Sequence, residues 1–239
     1  DGIRDIGVTG VQTCALPIYF HHFTYGLVSQ YHAPLTVILF DNHPDWMKPP
    51  HQYHCGTWVY QLARLNCVKK IIIIGLESGD IDKKNFYHGD IESFEQGKII
   101  LLPYKPIKIY EGKKHIGTLK SEFSKNIKKG IEELRNHIET RDVYISVDKD
   151  CLRLEDAYTN WEQGSMPFSS VIKIIKSIKK HYHIVGADTV GDYSKPNFIS
   201  PLKWIGSWLD RRVTRKNANK VQLQKNEKIN IALINTILN

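Results

Sequence analysis

Five short runs of β-branched and aliphatic residues constrain this chain more than anything else in it: LTVILF at 35–40, KIIIIG at 70–75, IILL at 99–102, DVYISV at 142–147 and HIVGAD at 183–188. Each is nearly continuous rather than alternating, the mark of a strand buried on both faces, as in a parallel sheet. Helical patterns lie between them, at roughly 54–65, 119–140 and 167–181. The last opens with Pro167, Ser169 and Ser170, sound helix-start chemistry. Strands alternating with helices predict a three-layer α/β/α sandwich around a mainly parallel sheet, joined by right-handed crossovers. Residues 77–117 are rich in Gly, Lys and Asp and read as loops around a short strand.

Length and composition narrow the class further. With 239 residues, 41% of them hydrophobic, the chain can bury one sizeable core. Collagen, long low-complexity disorder and disulfide-dense mini-proteins are excluded. No apolar run approaches the ~20 residues of a membrane helix, so no membrane is expected. Cys14, Cys55, Cys67 and Cys151 form no recognisable framework and suit a reducing, cytoplasmic compartment. A formal charge of +8 permits a polyanionic partner without arguing for one. Residues 211–228 are basic and polar, and 229–238 are apolar at helical spacing. That reads as a terminal helix docking on the domain, with a polyanion-binding tail as the alternative.

The first eighteen residues, DGIRDIGVTGVQTCALPI, look unlike the rest. In one reading frame residues 1–5 and 8–18 are the translation of the two halves of a sequencing adapter, with Ile6 and Gly7 between them. The stretch also lacks the basic start and apolar centre of a signal peptide. It is expected to be non-native, leaving residues 19–239 as a single domain that is incomplete at its N-terminus.

Two of the strands run straight into acidic clusters. The first leads into Asp41, Asn42, His43, Pro44 and Asp45, the fourth into Asp148, Lys149 and Asp150. In open parallel sheets ligands sit beyond the carboxyl ends of the strands. Alternation along an extended strand end brings Asp41, His43 and Asp45 to one side, and likewise Asp148 and Asp150. Either cluster alone could be a set of helix caps and turn formers. Four carboxylates converging without a cation would repel one another and resist desolvation. A divalent metal, or two, removes that cost, and a carboxylate-rich set with a few imidazoles suits Mn²⁺ better than Zn²⁺.

Asp41-x-His43-x-Asp45 followed far downstream by Ser146-x-Asp148-x-Asp150 resembles the paired motifs of the arginase/agmatinase (ureohydrolase) superfamily, which also includes the histone-deacetylase-like enzymes. The likeness extends over residues 19–193. It implies an arginase-like fold with a binuclear manganese site, two Mn²⁺ per chain. Asp41 and Asp148 would bridge the ions, Asp45 would complete one site, and His43 with Asp150 the other. The family's further histidine ligand falls at His21 or its neighbour His22, with His21 favoured. His54, Cys55 and Gly56 resemble the family's His-Gly segment, whose imidazole shuttles protons at the mouth of the site; equally, His54 could merely open a helix. Thr159, Glu162 and Gly164 resemble its Thr-x-x-Glu-Gly element, with Glu162 as receptor of a guanidinium or amidine. Here Gln163 intervenes and the element follows Asp150 closely, so a helix-start role for Glu162 stays open. Cys151, Leu152 and Arg153 replace the family's trailing Asp-Pro, and Asp192 stands where a glutamate is usual, in a structural role.

The implied chemistry is hydrolysis of a non-peptide carbon–nitrogen bond in a linear guanidine or amidine. A hydroxide shared by the two ions would attack, Asp150 would relay its proton, and His54 would serve the leaving amine. The expected partner is a small-molecule substrate, with no nucleic acid; self-association into a homo-oligomer stays open. A deacetylase-like enzyme with one metal is the nearest alternative, although it has no need of Asp45 and Asp150. A non-catalytic metal-binding or RNA-binding protein is the other.

Overall fold

The computed structural model describes residues 21–48, 54–81, 86–111, 114–193 and 218–239, together with the backbone of 12–17. Residues 1–11 of the adapter-like stretch and 211–217 of the basic segment lie outside the described residues. In chain order the elements are β1 (Gln12–Pro17), α1 (Phe23–Val28), β2 (Leu35–Phe40), α2 (Trp58–Leu62), β3 (Val68–Ile74), α3 (Ile91–Glu95), β4 (Ile99–Leu102), β5 (Ile107–Glu111), β6 (Lys114–Leu119), α4 (Ile127–His137), β7 (Asp142–Asp148), α5 (Phe168–His181), β8 (His183–Asp192) and α6 (Lys220–Leu238).

Six strands form one sheet in the order β1-β8-β7-β2-β3-β4, every neighbouring pair parallel. Strands β2 and β3 bury their apolar runs on both faces, and the two resulting cores explain why those runs do not alternate. On one face Ile38, Phe40, Ile145 and Val147 meet Leu134 of α4, Ile174 of α5 and Leu233 of α6. On the other, Val37, Leu39, Ile71 and Ile73 meet Val28 of α1 and Trp58 and Leu62 of α2. Each such fully buried side chain contributes roughly 1.5–3 kcal/mol. The mainly parallel three-layer α/β/α architecture is therefore present.

Three local expectations are corrected. The stretch read as a helix over 119–140 is helical only at Ile127–His137, because Asn126 caps it, its side chain accepting from the backbone N–H groups of Lys128 and Lys129. Leu119 instead ends β6, which pairs antiparallel with β5 in a hairpin inside the region read as loop. The helix read over 54–65 shrinks to Trp58–Leu62, since His54–Thr57 is a turn closed by the Thr57 hydroxyl, which bonds His54 N–H and C=O.

The topology decides where a ligand can sit. From β2 the chain moves to β3 on one side, whereas from β7 it moves to β8 on the other, and β2 and β7 are neighbours. Their carboxyl ends flank a topological switch point, the crevice that open α/β sheets use for ligands. Phe40 pairs in register with Val147, so the acidic clusters that follow emerge side by side.

Candidate metal centre

Asp41, Asp148 and Asp150 are each 1–2% exposed, and His21 is 1% exposed. Their carboxylates are oriented by backbone donors of the same loops. Asp41 Oδ1 accepts from His43 N–H at 2.7 Å, Asp148 Oδ1 from Asp150 N–H at 2.9 Å, and Asp150 Oδ1 from Asn42 N–H at 3.1 Å. Asp45 is held with φ 48°, a left-handed conformation unusual outside glycine, which a short acidic side chain tolerates best. Gly191 of β8 makes room for the cluster: at φ +86° it could take no side chain cheaply, and a Cβ there would lie 2.5 Å from Asp148 Oδ1.

Two groupings result. His21 Nδ1 lies 3.3 Å from Asp41 Oδ2, 3.3 Å from Asp45 Oδ2 and 3.5 Å from Asp148 Oδ2, while its Nε2 is turned to Ser146 Oγ at 3.0 Å. His43 Nδ1 lies 2.9 Å from Asp150 Oδ2 and 3.7 Å from Asp41 Oδ1. Asp41 thus presents one oxygen to each half. His21, not His22, enters the cluster; the His22 ring stacks on Phe23 at 4.9 Å. His54 lines the mouth of the same cavity, of about 120 Å³, with Met47, Asp80 and Trp161. The Glu162 carboxylate is 39% exposed at the rim, 3.7 Å from His43 Nε2. The residues singled out from the sequence therefore come together at one place.

The electrostatics are those of a site short of positive charge. Burial alone would discharge His21, but the Asp41 and Asp45 carboxylates hold its pKa well above the usual histidine value. Burial is likewise overridden at His43 by Asp150 and Asp41. Burial and the neighbouring Asp150 and Asp41 charges push Asp148 well above the carboxylate range. Burial and Asp41 push Asp45 up to about 6. Asp41 alone is held low: burial opposes its charge, and His21 and His43 outweigh that. Even so, His21 Nδ1 and Asp41 Oδ2 face each other buried without a hydrogen bond. Orphaned buried atoms of this kind carry a penalty that a cation between them would remove. The donor set, four carboxylate side chains and two imidazoles, fits divalent ions, and two groups sharing Asp41 have metal-ligand spacing: His21, Asp41 and Asp45, and Asp41, His43 and Asp150.

Nothing in the motif spacing pointed to two further residues that hold the cluster. The Asn42 side chain donates to Glu162 C=O at 3.1 Å and accepts from Glu77 N–H at 3.2 Å, tying three loops together. Trp58, fully buried, donates its indole N–H to Asp45 Oδ2 at 2.8 Å and packs its ring 4.7 Å from His21. Trp58→Phe keeps an aromatic ring at this position and removes the donor. Affinity for a divalent ion beside Asp45 is expected to fall about 10–100-fold, as for other partners of metal ligands. Calorimetric titration with Mn²⁺ measures it, and wild-type affinity would contradict the assignment.

A sequence model of the arginase family matches residues 20–191. An uncharacterized protein of Thermotoga maritima is 23% identical over 173 residues, 72% of this chain and 54% of its own. Among solved structures, the agmatine ureohydrolase of Thermoplasma volcanium aligns with a TM-score of 0.59 at 20% identity, covering 95% of this chain and 63% of its own. Proclavaminate amidino hydrolase from Streptomyces clavuligerus gives 0.57 at 17%, covering 91% and 61%. An arginase from Bacillus subtilis gives 0.60 at 14%, covering 96% and 72%. The chain spans about half the length of the curated relative it matches. At these identities the structural likeness speaks for the fold.

Proposed function

The chain belongs to the arginase family, and on that premise we propose that it is a binuclear manganese-dependent hydrolase acting on the carbon–nitrogen bond of a linear guanidine or amidine. The observation that carries this reading is the meeting of four buried or nearly buried carboxylate side chains with two buried imidazoles at the β2/β7 switch point, in two clusters that share Asp41. In it, His21, Asp41 and Asp45 would hold one ion and Asp41, His43 and Asp150 the other, with Asp148 as a further ligand. Residues 19–239 are read as one arginase-like domain, of which 211–239 is a basic segment and terminal helix.

Divalent ions bound here would supply Lewis acidity and a nucleophilic water at neutral pH. The chain's own groups do the rest. Asp150, whose Oδ2 sits 2.9 Å from His43 Nδ1, receives the proton of the attacking water. Glu162 at the rim receives the substrate cation. His54 serves the leaving amine; its Nδ1 accepts from Gly56 N–H at 3.0 Å, so Nε2 carries the proton in the neutral ring. The buried position of Asp41 and Asp148 excludes water from their carboxylates and strengthens each interaction with charge.

The test is metal content and urea release after reconstitution with Mn²⁺. About two ions per chain and urea from guanidino compounds are expected. One ion per chain would favour the deacetylase-like reading, and a folded chain that takes up none would overturn the hydrolase. Proton release is a second expected result. His21 and His43 hold protons well above the ordinary histidine range, and a ligating imidazole nitrogen must give its proton up. Mn²⁺ affinity is therefore expected to rise with pH, by about tenfold per unit for each proton displaced. Calorimetry in two buffers of different ionisation heat measures it; heats independent of buffer would contradict it.

A further inference from the structure

We propose that α6 is a strut for the pocket, and that two asparagines on its buried face, Asn226 and Asn230, are positioning residues for the two loops that wall the site. The metal arm of this inference rests on the binuclear reading above. The two residues stand four apart on the helix and so share a face, beside buried Ile229 and Leu233. Each grips a different loop.

Asn230 acts through Lys149. Lys149 lies between Asp148 and Asp150 in the turn after β7, but its side chain leaves the pocket and is fully buried under α6. Its ammonium meets Asn230 Oδ1 at 2.9 Å, Thr189 Oγ1 at 3.1 Å and Asp192 Oδ1 at 3.4 Å, which satisfies all three protons. Asn230 Nδ2 then donates to Asp192 Oδ2 at 3.0 Å, closing a ring of three side chains from α6, β8 and the turn. A buried lysine fully paired in this way fixes the backbone on either side of it. That backbone carries Asp148 and Asp150.

Asn226 acts directly on the second loop. Its Oδ1 accepts from Tyr158 N–H at 2.9 Å and its Nδ2 donates to Tyr158 C=O at 2.7 Å, a pairing that imitates a neighbouring strand. Beyond Tyr158 the Thr159 hydroxyl bonds both Trp161 C=O and Trp161 N–H, at 3.2 and 3.3 Å. Trp161 lines the cavity, and Glu162 follows it at the rim. Lys225 Nζ holds the start of the same loop through Glu155 C=O at 2.9 Å. An apolar docking face alone would need neither asparagine, because helix packing is served by Ile229, Leu233 and Ile237.

The experiment compares the full chain with Asn226→Ala and Asn230→Ala, using Mn²⁺ calorimetry and hydrogen exchange of peptides covering 146–152 and 157–164. Asn230→Ala is expected to weaken Mn²⁺ binding at least about tenfold and to lose protection at 146–152. Asn226→Ala is expected to leave Mn²⁺ affinity within about twofold and to lose protection at 157–164 only. Protection lost evenly along the chain in both variants, with Mn²⁺ affinity unchanged, would overturn the proposal and reduce α6 to packing. If Asn230→Ala does not fold, Lys149→Met with Asn230→Leu removes the ring without leaving an ammonium buried and unpaired. Weakened Mn²⁺ binding in that folded double variant supports the strut; wild-type affinity overturns it. A wild-type chain that binds no Mn²⁺ would sink the binuclear reading instead, and the loop-specific exchange pattern alone would then decide between strut and packing.

Discussion

Asp41→Asn is expected to strip both ions from the pocket and to lower hydrolysis by about 10³-fold or more. The reason is geometric. Asp41 Oδ2 faces His21 Nδ1 at 3.3 Å, and Oδ1 lies 3.7 Å from His43 Nδ1, so a single carboxylate serves both halves. An asparagine amide has one acceptor oxygen, and its NH₂ would point donors at a ligand nitrogen or an ion. Asp45→Asn is the informative contrast, because Asp45 approaches only the His21 half. It is expected to leave about one ion per chain. Elemental analysis of the two variants beside the wild type measures this, and an Asp41→Asn protein that keeps two ions and its activity would refute the shared site.

Five of the six strands of the sheet were legible because they are apolar runs buried largely on both faces, whereas β1 falls within the stretch read as non-native. LTVILF and IILL coincide with β2 and β4, since a run without alternation has few other uses at that length. The β5–β6 hairpin was not legible. Its strands, IKIYE and KHIGTL, are interrupted by lysines and a glycine, and they gain their place from Ile107, Ile109 and Leu119 packing against the body, a long-range contact with no local signature. The late start of the helix read over 54–65 has a local cause, the Thr57–His54 hydrogen bonds competing with helix formation.

The candidate site was legible to the extent that its groups follow strands. Asp41, His43 and Asp45 follow β2 at alternate positions, Asp148 ends β7 with Asp150 two residues on, and adjacency of those two strands brings the sets together. Trp58, Asn42 and Asn226 were not legible. Each acts through one hydrogen bond or two to a residue between 13 and 120 positions away, which no local spacing encodes. Lys149 was the least readable of all, since a lysine between two aspartates suggests a solvated turn. Only the fold shows that the tight helical turn over 149–151 sends the lysine under α6 while its neighbours enter the pocket.

Asp148→Asn is expected to make the metal-free protein more stable and the Mn²⁺-loaded protein less so. In the metal-free chain Asp148 is 2% exposed, and burial with the Asp150 and Asp41 charges raises its pKa well above the usual value. The folded state therefore binds a proton that the unfolded chain has released. Stability falls with pH wherever the folded state binds more protons, so the penalty is absent below the ordinary carboxylate pKa and grows until the folded value is passed. Asparagine is neutral at every pH and keeps an oxygen to accept from Asp150 N–H, the bond now 2.9 Å long. The gain should be nil near pH 3 and amount to a few degrees in Tm near pH 8. With Mn²⁺ the order is expected to reverse, because the wild type draws stability from any ion bound to its folded state and, on the proposed reading, the variant lacks a ligand of both ions. Thermal scans with chelator and with Mn²⁺, at both pH values, test the sign in four cells. A variant less stable than the wild type at pH 8 in chelator would mean that Asp148 is charged and satisfied without metal. The cluster would then be a structural network rather than a site waiting for cations.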